Sequence, residues 1–441
     1  MPDLVVRGDL EDIAIEDGKI VAIGPELSLR AAEELDARGL HVFPGLIDVH
    51  LHFNEPGRTD WEGAATGSRA LAAGGGTLFF DMPLNSTPCT VNAAAFDRKQ
   101  AALAESSITD FALWGGLIPG NVPEMAELAD RGVVGFKAFL CDSGLPEFPR
   151  ADDQTLFDGL REAARLGLPV AVHAESQELT QGDRGSVKAF LASRPVIAEL
   201  EAIQRATLLA REAGAKLHIV HVSSGRGVAL AAEARAQGTD VSIETCPHYL
   251  FFTEDDLERL GAIAKCAPPL RNAVEQDGLW TQLLAGTIDI VASDHSPAPP
   301  EMKAGDFAQA WGGIAGVQST LAVLLDRGYH RSHKSLEGRQ LSLDRISSLI
   351  AAEPARRFRI PAKGRIAIGM DADLALVDLS QSTQLQPKHL MQRHPLNNPY
   401  LGSTFRGCVV RTIRRGETIF ASGKIEARTT GRFVRPNLCS I

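Results

Sequence analysis

Short apolar runs alternate with amphipathic segments over most of the chain. Eight of these runs have the length and composition of buried strands, at residues 46–52, 77–82, 111–116, 134–139, 170–173, 217–222, 241–244 and 288–294. Helical periodicity follows several of them, for example at 156–167 and 196–214, and each of these two segments ends at a glycine that predicts a helix C-terminus. Eight alternations of strand and helix predict an α/β fold, a (β/α)8 TIM-type barrel whose parallel strands are too buried to alternate strictly.

Both ends of the chain have a different pattern, of short strands separated by turns. The strands predicted near the N-terminus, which include a hairpin at Asp17-Gly18, are Leu4–Arg7, Ile13–Glu16 and Ile20–Ile23. A similar pattern returns at 365–379 and 408–425. Chain termini often lie close together in a folded domain. We therefore predict one small β-sandwich domain from residues 1–42 and 363–441, with the barrel inserted between them at 43–362.

The composition is that of a large globular protein. Of the 441 residues, 44% are hydrophobic and 23% are charged, which is close to the average for soluble proteins. The net charge of −10 provides no basic surface, so we do not expect a nucleic-acid partner. Neither a membrane span nor a secretory signal is evident, so we expect no membrane partner. Six cysteines without a C-x-x-C pair predict reduced thiols in a cytoplasmic protein.

Two histidines stand at the end of the first predicted barrel strand. His50 and His52 lie one residue apart in the sequence PGLIDVHLHFNEPG. Because side chains alternate along a strand, Asp48, His50 and His52 point to the same side. Barrel active sites lie where strands end and loops begin, so the pair predicts a metal site at the rim. The alternative is a pair of half-exposed structural histidines on an edge strand.

Polar residues also occur at the ends of four later barrel strands. They are Lys137, His173, His221 and Asp294, which would all meet the histidine pair at one rim of a barrel. Nitrogen ligands with a carboxylate suit Zn²⁺ or a similar divalent ion in a catalytic site. A lysine in an apolar strand is rarely buried without a partner, so Lys137 requires an explanation.

Each of these residues also has a structural alternative. His218 and His221 are predicted to face opposite sides of one strand, and we choose His221 as the candidate ligand because it lies nearer the strand end. His173 alone is consistent with a buried structural histidine, and Asp294 alone with a turn cap. The concurrence of six such residues at several strand ends favours an active site.

The motifs resemble the cyclic-amidohydrolase branch of the amidohydrolase superfamily over nearly the whole chain. Those that carry the resemblance are PGLIDVHLHFNEPG, GFKAFL, VHAE, HVSS, ETCPHYL and SDHSPAPPEMKAG, with GRIAIGMDADLALVD near the end. The resemblance implies two divalent metal ions, most typically Zn, with Co, Mn, Ni or Fe as alternatives. It implies that His50, His52 and Asp294 bind one ion, that His173 and His221 bind the other, and that a carbamate on Lys137 bridges them. It also implies a homo-oligomer, typically a tetramer.

The same resemblance suggests a class of substrate. EPGRTDWEG, DMPLNS and AWGGIAG are closest to the subfamily whose substrate is an uncharged cyclic ureide. Dihydroorotases typically carry Arg two residues after the second histidine, where it pairs with a substrate carboxylate, whereas this chain has Asn54. The family pattern also points to Asn85 and to the backbone of Ala267 and Gly312 as substrate contacts. The alternatives are a hydantoinase or dihydropyrimidinase, a dihydroorotase, and more distantly a non-catalytic scaffold of the same fold.

The chemistry of amide hydrolysis completes the prediction. An amide carbonyl is a poor electrophile and neutral water a poor nucleophile, and a bound metal improves both. We expect a metal-bridging hydroxide to attack the ring carbonyl while Asp294 acts first as general base and then as general acid. His248 and His295 are expected to orient ligands or shape turns rather than to bind metal.

Overall fold

The computed structural model describes residues 1–182, 184–331 and 338–438. Its N-terminal strands are β1 (Leu4–Arg7), β2 (Asp12–Glu16), β3 (Lys19–Gly24), β4 (Glu33–Asp36) and β5 (His41–Pro44). The first four form a sheet in the order β3-β2-β1-β4. The predicted hairpin is present between β2 and β3, where Asp17 and Gly18 have φ values of 50° and 74°. Aspartate and glycine tolerate this left-handed region better than most residues, which explains why the chain turns there.

All eight predicted barrel strands are present, the third of them divided into two short strands. They are β6 (Leu46–Leu51), β7 (Gly76–Asp81), β8 (Asp110–Leu113) with β9 (Gly115–Gly116), β10 (Phe136–Phe139), β11 (Pro169–His173), β12 (Lys216–Ile219), β13 (Val241–Thr245) and β14 (Ile290–Val291). Neighbouring strands pair in parallel. A parallel bridge between Leu51 and His295 joins the first strand to the segment after the last. The α/β fold with a (β/α)8 TIM-type barrel is therefore confirmed.

Helices follow the barrel strands, and the two predicted from periodicity both occur. The α-helices are α1 (Ala64–Ala73), α2 (Ala93–Ser106), α3 (Met125–Arg131), α4 (Asp153–Leu166), α5 (Val187–Ser193), α6 (Val196–Ala213), α7 (Gly225–Ala236), α8 (Pro247–Phe251), α9 (Glu254–Leu260), α10 (Ala273–Leu284), α11 (Thr320–Val323), α12 (Leu343–Ser347) and α13 (Glu353–Arg357). Gly167 ends α4 and Gly214 ends α6, both in the left-handed conformation that favours glycine at this position. Among the described residues, no helix is long and apolar enough to cross a membrane.

Shorter helical turns complete the barrel layer and the loops above it. The π-helical turns are Leu324–Tyr329 and Ser348–Ala352, which continue α11 and α12. The 3₁₀ turns are Val122–Glu124, Gln177–Leu179, Gly261–Ala264, Pro300–Met302, Val317–Ser319, Pro387–His389 and Pro395–Asn397. Two of these turns, Gly261–Ala264 and Pro300–Met302, lead into the segments that form one wall of the cavity described below.

The C-terminal part of the chain returns to the N-terminal strands. Its strands are β15 (Leu374–Gln384), β16 (Thr404–Arg414), β17 (Glu417–Ala421) and β18 (Lys424–Ile425), in a sheet of order β18-β17-β16-β15-β5. Val6 and Ile15 of the first sheet belong to the same buried cluster as Leu374 and Ile413 of the second. The two sheets therefore share one core built from both chain ends, as expected.

The exact division into domains stays a prediction. The boundary expected between residues 42 and 43 falls inside β5, and residues 439–441 of the second terminal segment lie outside the described residues. Cys439 is among them, and the other five cysteines of the chain are free thiols.

Candidate metal centre

The C-terminal ends of the first and last barrel strands bring His50, His52 and Asp294 together. Nε2 of His50 is 3.2 Å from Oδ1 of Asp294, and Nε2 of His52 is 3.5 Å from the same oxygen. The candidate ligand atoms of the three residues lie within 4.8 Å of one another. Burial acts to raise the pKa of Asp294, but attraction to His50 and His52 lowers it below its usual range. Two imidazoles and an ionised carboxylate thus converge on one point, a donor set that suits a divalent metal ion.

His173 and His221 lie directly beside this group. The ring centroids of His173 and His221 are 4.6 Å apart, and those of His50 and His221 are 5.3 Å apart. His173 is the last residue of β11, whereas His221 follows β12 with a φ of 41°. Asp294 has a φ of 44°. Positive φ is uncommon for residues other than glycine and clusters at functional sites, so His221 and Asp294 are strained where they face the cavity.

Lys137 is a buried residue of β10. It is 0% exposed, and within the described chain its Nζ makes no hydrogen bond. Its Nζ lies over the ring of Phe139, 5.0 Å from the ring centroid. Burial lowers the pKa of Lys137 to about 8, against the opposing attraction of Asp294 and Glu244. A lysine with a lowered pKa exists partly as the neutral amine, which is the nucleophilic form.

Several buried donor atoms at this rim have no protein partner. In the part of the chain that the structure describes, Nδ1 of His52, Nδ1 of His221 and Nζ of Lys137 are buried and make no hydrogen bond. A buried polar atom left in this state costs about 1–3 kcal/mol, so several at one rim need an explanation. Burial also lowers the pKa values of His52, His173 and His221. Neutral imidazole is the form that binds metal, so these residues fit a metal site.

Glu244, which the sequence pattern does not single out, holds three histidines. Its Oε1 is 2.8 Å from Nδ1 of His50 and accepts a hydrogen bond from the backbone N–H of His221 at 3.1 Å. Its Oε2 is 3.0 Å from Nε2 of His218, which lies beneath the rim, with its Nδ1 2.8 Å from Oγ of Ser242. The available signal is a charged glutamate within a fully buried strand, β13. A carboxylate behind a ligand histidine orients the ring, which is the arrangement seen here.

A second carboxylate supports His173. Oε2 of Glu175 is 2.8 Å from Nε2 of His173 and also pairs with Arg194. Burial acts to raise the pKa of Glu175, but the charge of Arg194 and the contact with His173 lower it to about 2. Glu175 stands two residues after His173, so the alternation of side chains is a signal for it. Arg194 has no such signal, because it reaches the site from a distant turn.

His248 and His295 lie close to the rim. Nε2 of His295 is 3.5 Å from Glu62, and its Nδ1 accepts a hydrogen bond from the N–H of Gly316 at 3.1 Å. His248 has a candidate ligand atom within 4.8 Å of those of Cys246 and Asp294, and burial lowers its pKa to about 4. The role expected for both, in orienting ligands or shaping turns, stays a prediction.

A cavity of about 320 Å³ opens onto the group. Its lining contains eight of the nine predicted site residues, namely His50, His52, Asn85, His173, His221, Ala267, Asp294 and Gly312. The ninth, Lys137, lies buried behind this wall. Asn54 is not among the described lining residues, and its amide donates to the carbonyl of Pro297 at 3.4 Å. The expectation drawn from Asn54 therefore concerns the lack of a cation at that position, not a contact with substrate.

Known proteins resemble this chain over its full length. The Amidohydrolase family model matches residues 41–419. The chain is 65% identical to a protein named allantoinase from Solibacter usitatus (strain Ellin6076), with 99% of this chain and 97% of that protein covered. A protein named allantoinase from Rubrobacter xylanophilus is 56% identical, with 98% of each chain covered. The solved structure of an L-hydantoinase (dihydropyrimidinase) from Arthrobacter aurescens superposes with a TM-score of 0.92 at 34% identity, over 99% of this chain and 100% of that one.

Proposed function

We propose that this protein, which belongs to the amidohydrolase family, hydrolyses the cyclic amide bond of allantoin to give allantoate, a step in purine and ureide nitrogen catabolism. The uncharged-ureide subfamily that its motifs resemble is allantoinase, and the relatives confirm that resemblance. The observation that carries the proposed hydrolysis is geometric: His50, His52 and Asp294 lie close together, and they line one cavity with His173 and His221.

The metal ligands are proposed from the donor atoms present. His50, His52 and Asp294 would hold one divalent ion, and His173 and His221 the second. Zn is the first choice, although Co, Mn, Ni and Fe accept similar ligands. When bound, such ions lower the pKa of a coordinated water towards about 7 and polarise the substrate carbonyl.

Lys137 is proposed to carry a carbamate that joins the two sites. Its neutral amine would attack CO2, forming an N–C bond and releasing a proton, and so become an anionic carbamate ligand. Two observations support this step: within the described chain its Nζ makes no hydrogen bond, and burial lowers its pKa to about 8. An ammonium group with neither a counter-ion nor an acceptor would be costly at this depth, and the carbamate removes that cost.

Asp294 is proposed to move the proton. Its pKa is lowered by His50 and His52, so it is ionised and able to accept a proton from the attacking water. It then delivers this proton to the ring nitrogen as the C–N bond breaks, acting as general base and then as general acid. Glu244 and Glu175 hold the histidine rings in place. Asn85 and the backbone of Ala267 and Gly312 are the proposed substrate contacts.

The cations around the cavity favour an uncharged ring. Arg184 donates to the carbonyl of Thr180 at 3.0 Å, Arg194 pairs with Glu175, and Lys265 donates to three backbone carbonyls. Each of these lining cations thus already donates to the protein, whereas recognition of a substrate carboxylate favours a free planar fork. The contacts of Arg194 and Lys265 leave these two cations poorly placed to bind a carboxylate, which supports an uncharged ring over dihydroorotate.

The alternative is a hydantoinase or dihydropyrimidinase, favoured by the structural similarity to the L-hydantoinase. Steady-state kcat/KM values for allantoin, hydantoin and dihydroorotate decide between these enzymes. We expect allantoin to be preferred by at least about tenfold, because kcat/KM reports differential binding of the transition state. A preference for hydantoin or dihydroorotate would contradict the proposed substrate. A non-catalytic scaffold would turn over none of the three.

A homotetramer and a cytoplasmic location are proposed on family resemblance. Sedimentation velocity on the purified protein tests the first, and fractionation of cells that produce it tests the second. A monomer, or a protein recovered from the cell surface, would contradict these assignments.

A further inference from the structure

Two lysines bind the two loop segments that form one wall of the cavity. Lys265 follows the 3₁₀ turn Gly261–Ala264, and Lys303 follows the turn Pro300–Met302. Among the described residues, neither forms an ion pair with a carboxylate. Each ammonium group instead donates to three backbone carbonyls. The three N–H donors of a lysine are thereby used completely, in a way that orders the loops they bind.

Lys265 binds the second segment from the first. Its Nζ donates to the carbonyl oxygens of Phe307, Ala308 and Ala310 at 2.7, 3.2 and 2.8 Å. The same ammonium lies 4.9 Å from the ring centroid of Phe307 and 5.4 Å from that of Phe190. Lys265 is only 6% exposed, so water does not compete freely for these contacts.

Lys303 makes the reciprocal connection. Its Nζ donates to the carbonyl of Ala262 in the first segment at 2.9 Å, and to those of Trp311 and Gly313 in the second at 2.9 and 2.6 Å. Its two second-segment acceptors flank Gly312. A trans peptide is planar, so the N–H of Gly312 points opposite to the carbonyl of Trp311, away from Lys303. Within the described chain this N–H makes no hydrogen bond.

We propose that Lys265 and Lys303 are positioning residues that hold the backbone of residues 306–313 against residues 261–268, and so set the distance between Ala267 and Gly312. This inference rests on the proposed function, in which the backbone groups of Ala267 and Gly312 contact the substrate. Loops are ordinarily mobile, and neither segment belongs to a sheet. The six hydrogen bonds from the two lysines hold these segments together, as backbone hydrogen bonds hold neighbouring strands together in a sheet.

The electrostatics support the same reading. Burial lowers the pKa of Lys303 to about 7, with further lowering from Lys265, and burial lowers the pKa of Lys265 to about 8. Keeping two neighbouring ammonium groups at one wall without an ion pair to the described residues is unfavourable, and an apolar side chain would fill the space without that penalty. The hydrogen bonds from the two ammonium groups to backbone carbonyls offset this cost.

The test compares Lys303→Met and Lys265→Met with the exposed control Lys424→Met in the metal-loaded full-length protein. Hydrogen exchange is followed at three amides of this segment. The N–H groups of Gln309 and Ala310 both donate to the carbonyl of Asp306, and that of Trp311 donates to the carbonyl of Met302. In both positioning variants we expect exchange at these amides to speed up about tenfold and KM for allantoin to rise about tenfold. We expect kcat and metal content to change by less than about twofold, and Lys424→Met to behave as the wild type.

Three results would overturn the proposal. They are unchanged exchange and KM in both variants, a loss of kcat or metal without a rise in KM, and failure of both variants to fold, which would make the lysines stability elements. Wild-type turnover of allantoin, measured in the same series, tests the proposed function separately. If the wild type does not hydrolyse allantoin, the proposed function fails, and the exchange rates still decide whether the lysines hold the segment.

Discussion

Lys137 at the rim of the barrel and Lys363 at its base are both almost fully buried, yet their surroundings are opposite. Nζ of Lys363 is 2.5, 2.9 and 3.0 Å from carboxylate oxygens of Asp373, Asp110 and Asp371. Burial acts to lower the pKa of Lys363, but these carboxylates raise it. Lys137 has no such partner in the described chain, and burial lowers its pKa to about 8. A buried lysine thus indicates a functional site only where it has no carboxylate partner that would stabilise its charge.

The base and the rim also differ in what they connect. Asp110 begins β8, whereas Asp371 and Asp373 lie just before β15, so Lys363 fastens the barrel to the sheet formed by both chain ends. Arg415 pairs with Asp110 in the same network. At the rim, strand ends of the barrel meet, and within the described chain Nδ1 of His52, Nδ1 of His221 and Nζ of Lys137 are buried and make no hydrogen bond. The base is an ion-pair network that joins two parts of the fold, whereas the rim has candidate ligand atoms for a divalent metal ion.

The largest effect is expected from Lys137→Met, which breaks the rim and leaves the base intact. Turnover of allantoin should fall by about a thousandfold or more, or ~4 kcal/mol in the barrier, because the proposed bridging ligand would be lost. Bound metal should fall in the same sample, measured by elemental analysis. Lys363→Met is the matched control and should keep its turnover per folded molecule. A Lys137→Met protein with native metal content and rate would contradict the role of Lys137.

Asp294→Asn tests whether Asp294 transfers the proton at the rim. Removing a positioned general base and acid typically costs about a hundredfold to ten-thousandfold, and we expect a loss of about a thousandfold in kcat. The decisive sample retains its metal, so that proton transfer and metal binding are separated. Asp373→Asn at the base is the control. Near-native turnover of metal-loaded Asp294→Asn would remove Asp294 from the mechanism.

Lys363→Met tests the base directly. It removes the cation shared by the buried carboxylates of Asp110 and Asp373 and the partly buried carboxylate of Asp371. Breaking a buried ion pair in this way typically lowers the free energy of unfolding by about 3–5 kcal/mol. The unfolding midpoint in urea measures the change, and turnover of the folded fraction should stay native. If stability is unchanged while turnover falls, the two regions do not have the distinct roles assigned here.

The smallest expected effect is a difference in pH dependence between Lys303 and Lys363. Lys303 has a folded pKa of about 7, lowered by burial, against 10.5 when unfolded. Between these two values the unfolded chain binds more protons, so the contribution of Lys303 makes the protein more stable as pH rises. The pKa of Lys363 is raised, so its contribution is constant over this range and is lost only at higher pH.

Urea unfolding at about pH 7 and about pH 9 measures these slopes. Lys303→Met should flatten the rise in stability relative to the wild type, whereas Lys363→Met should leave the slope unchanged. A steeper rise of stability with pH in Lys303→Met than in the wild type would contradict this prediction.

Much of the barrel could be predicted from the sequence because buried parallel strands are continuous apolar runs. His50 and Lys137 stood out because polar residues interrupt such runs. The last strand is the clearest exception, since the run 288–294 is predicted as one strand whereas β14 covers only Ile290–Val291. The chain leaves strand geometry before Asp294, whose positive φ aims it into the cavity, and a hydropathy pattern carries no information about that bend.

The supporting residues were harder to predict, for a physical reason. Glu175 and Glu244 could be found in principle, because each lies on or next to a strand with its side chain on the side of the histidines. Lys265 and Lys303 could not, since their acceptors are backbone carbonyls of distant loops. Every residue has a carbonyl, so the sequence contains no complementary partner to search for. Such contacts emerge only from the folded chain.

The most direct test of the whole account measures allantoin turnover and bound metal on the same sample, as metal is stripped by a chelator and then restored with Zn²⁺ in bicarbonate buffer. The account predicts that turnover falls with the loss of metal and returns in proportion to the metal restored, up to two ions per chain. Native turnover of allantoin by the metal-free protein, or none by the fully loaded protein, would contradict it.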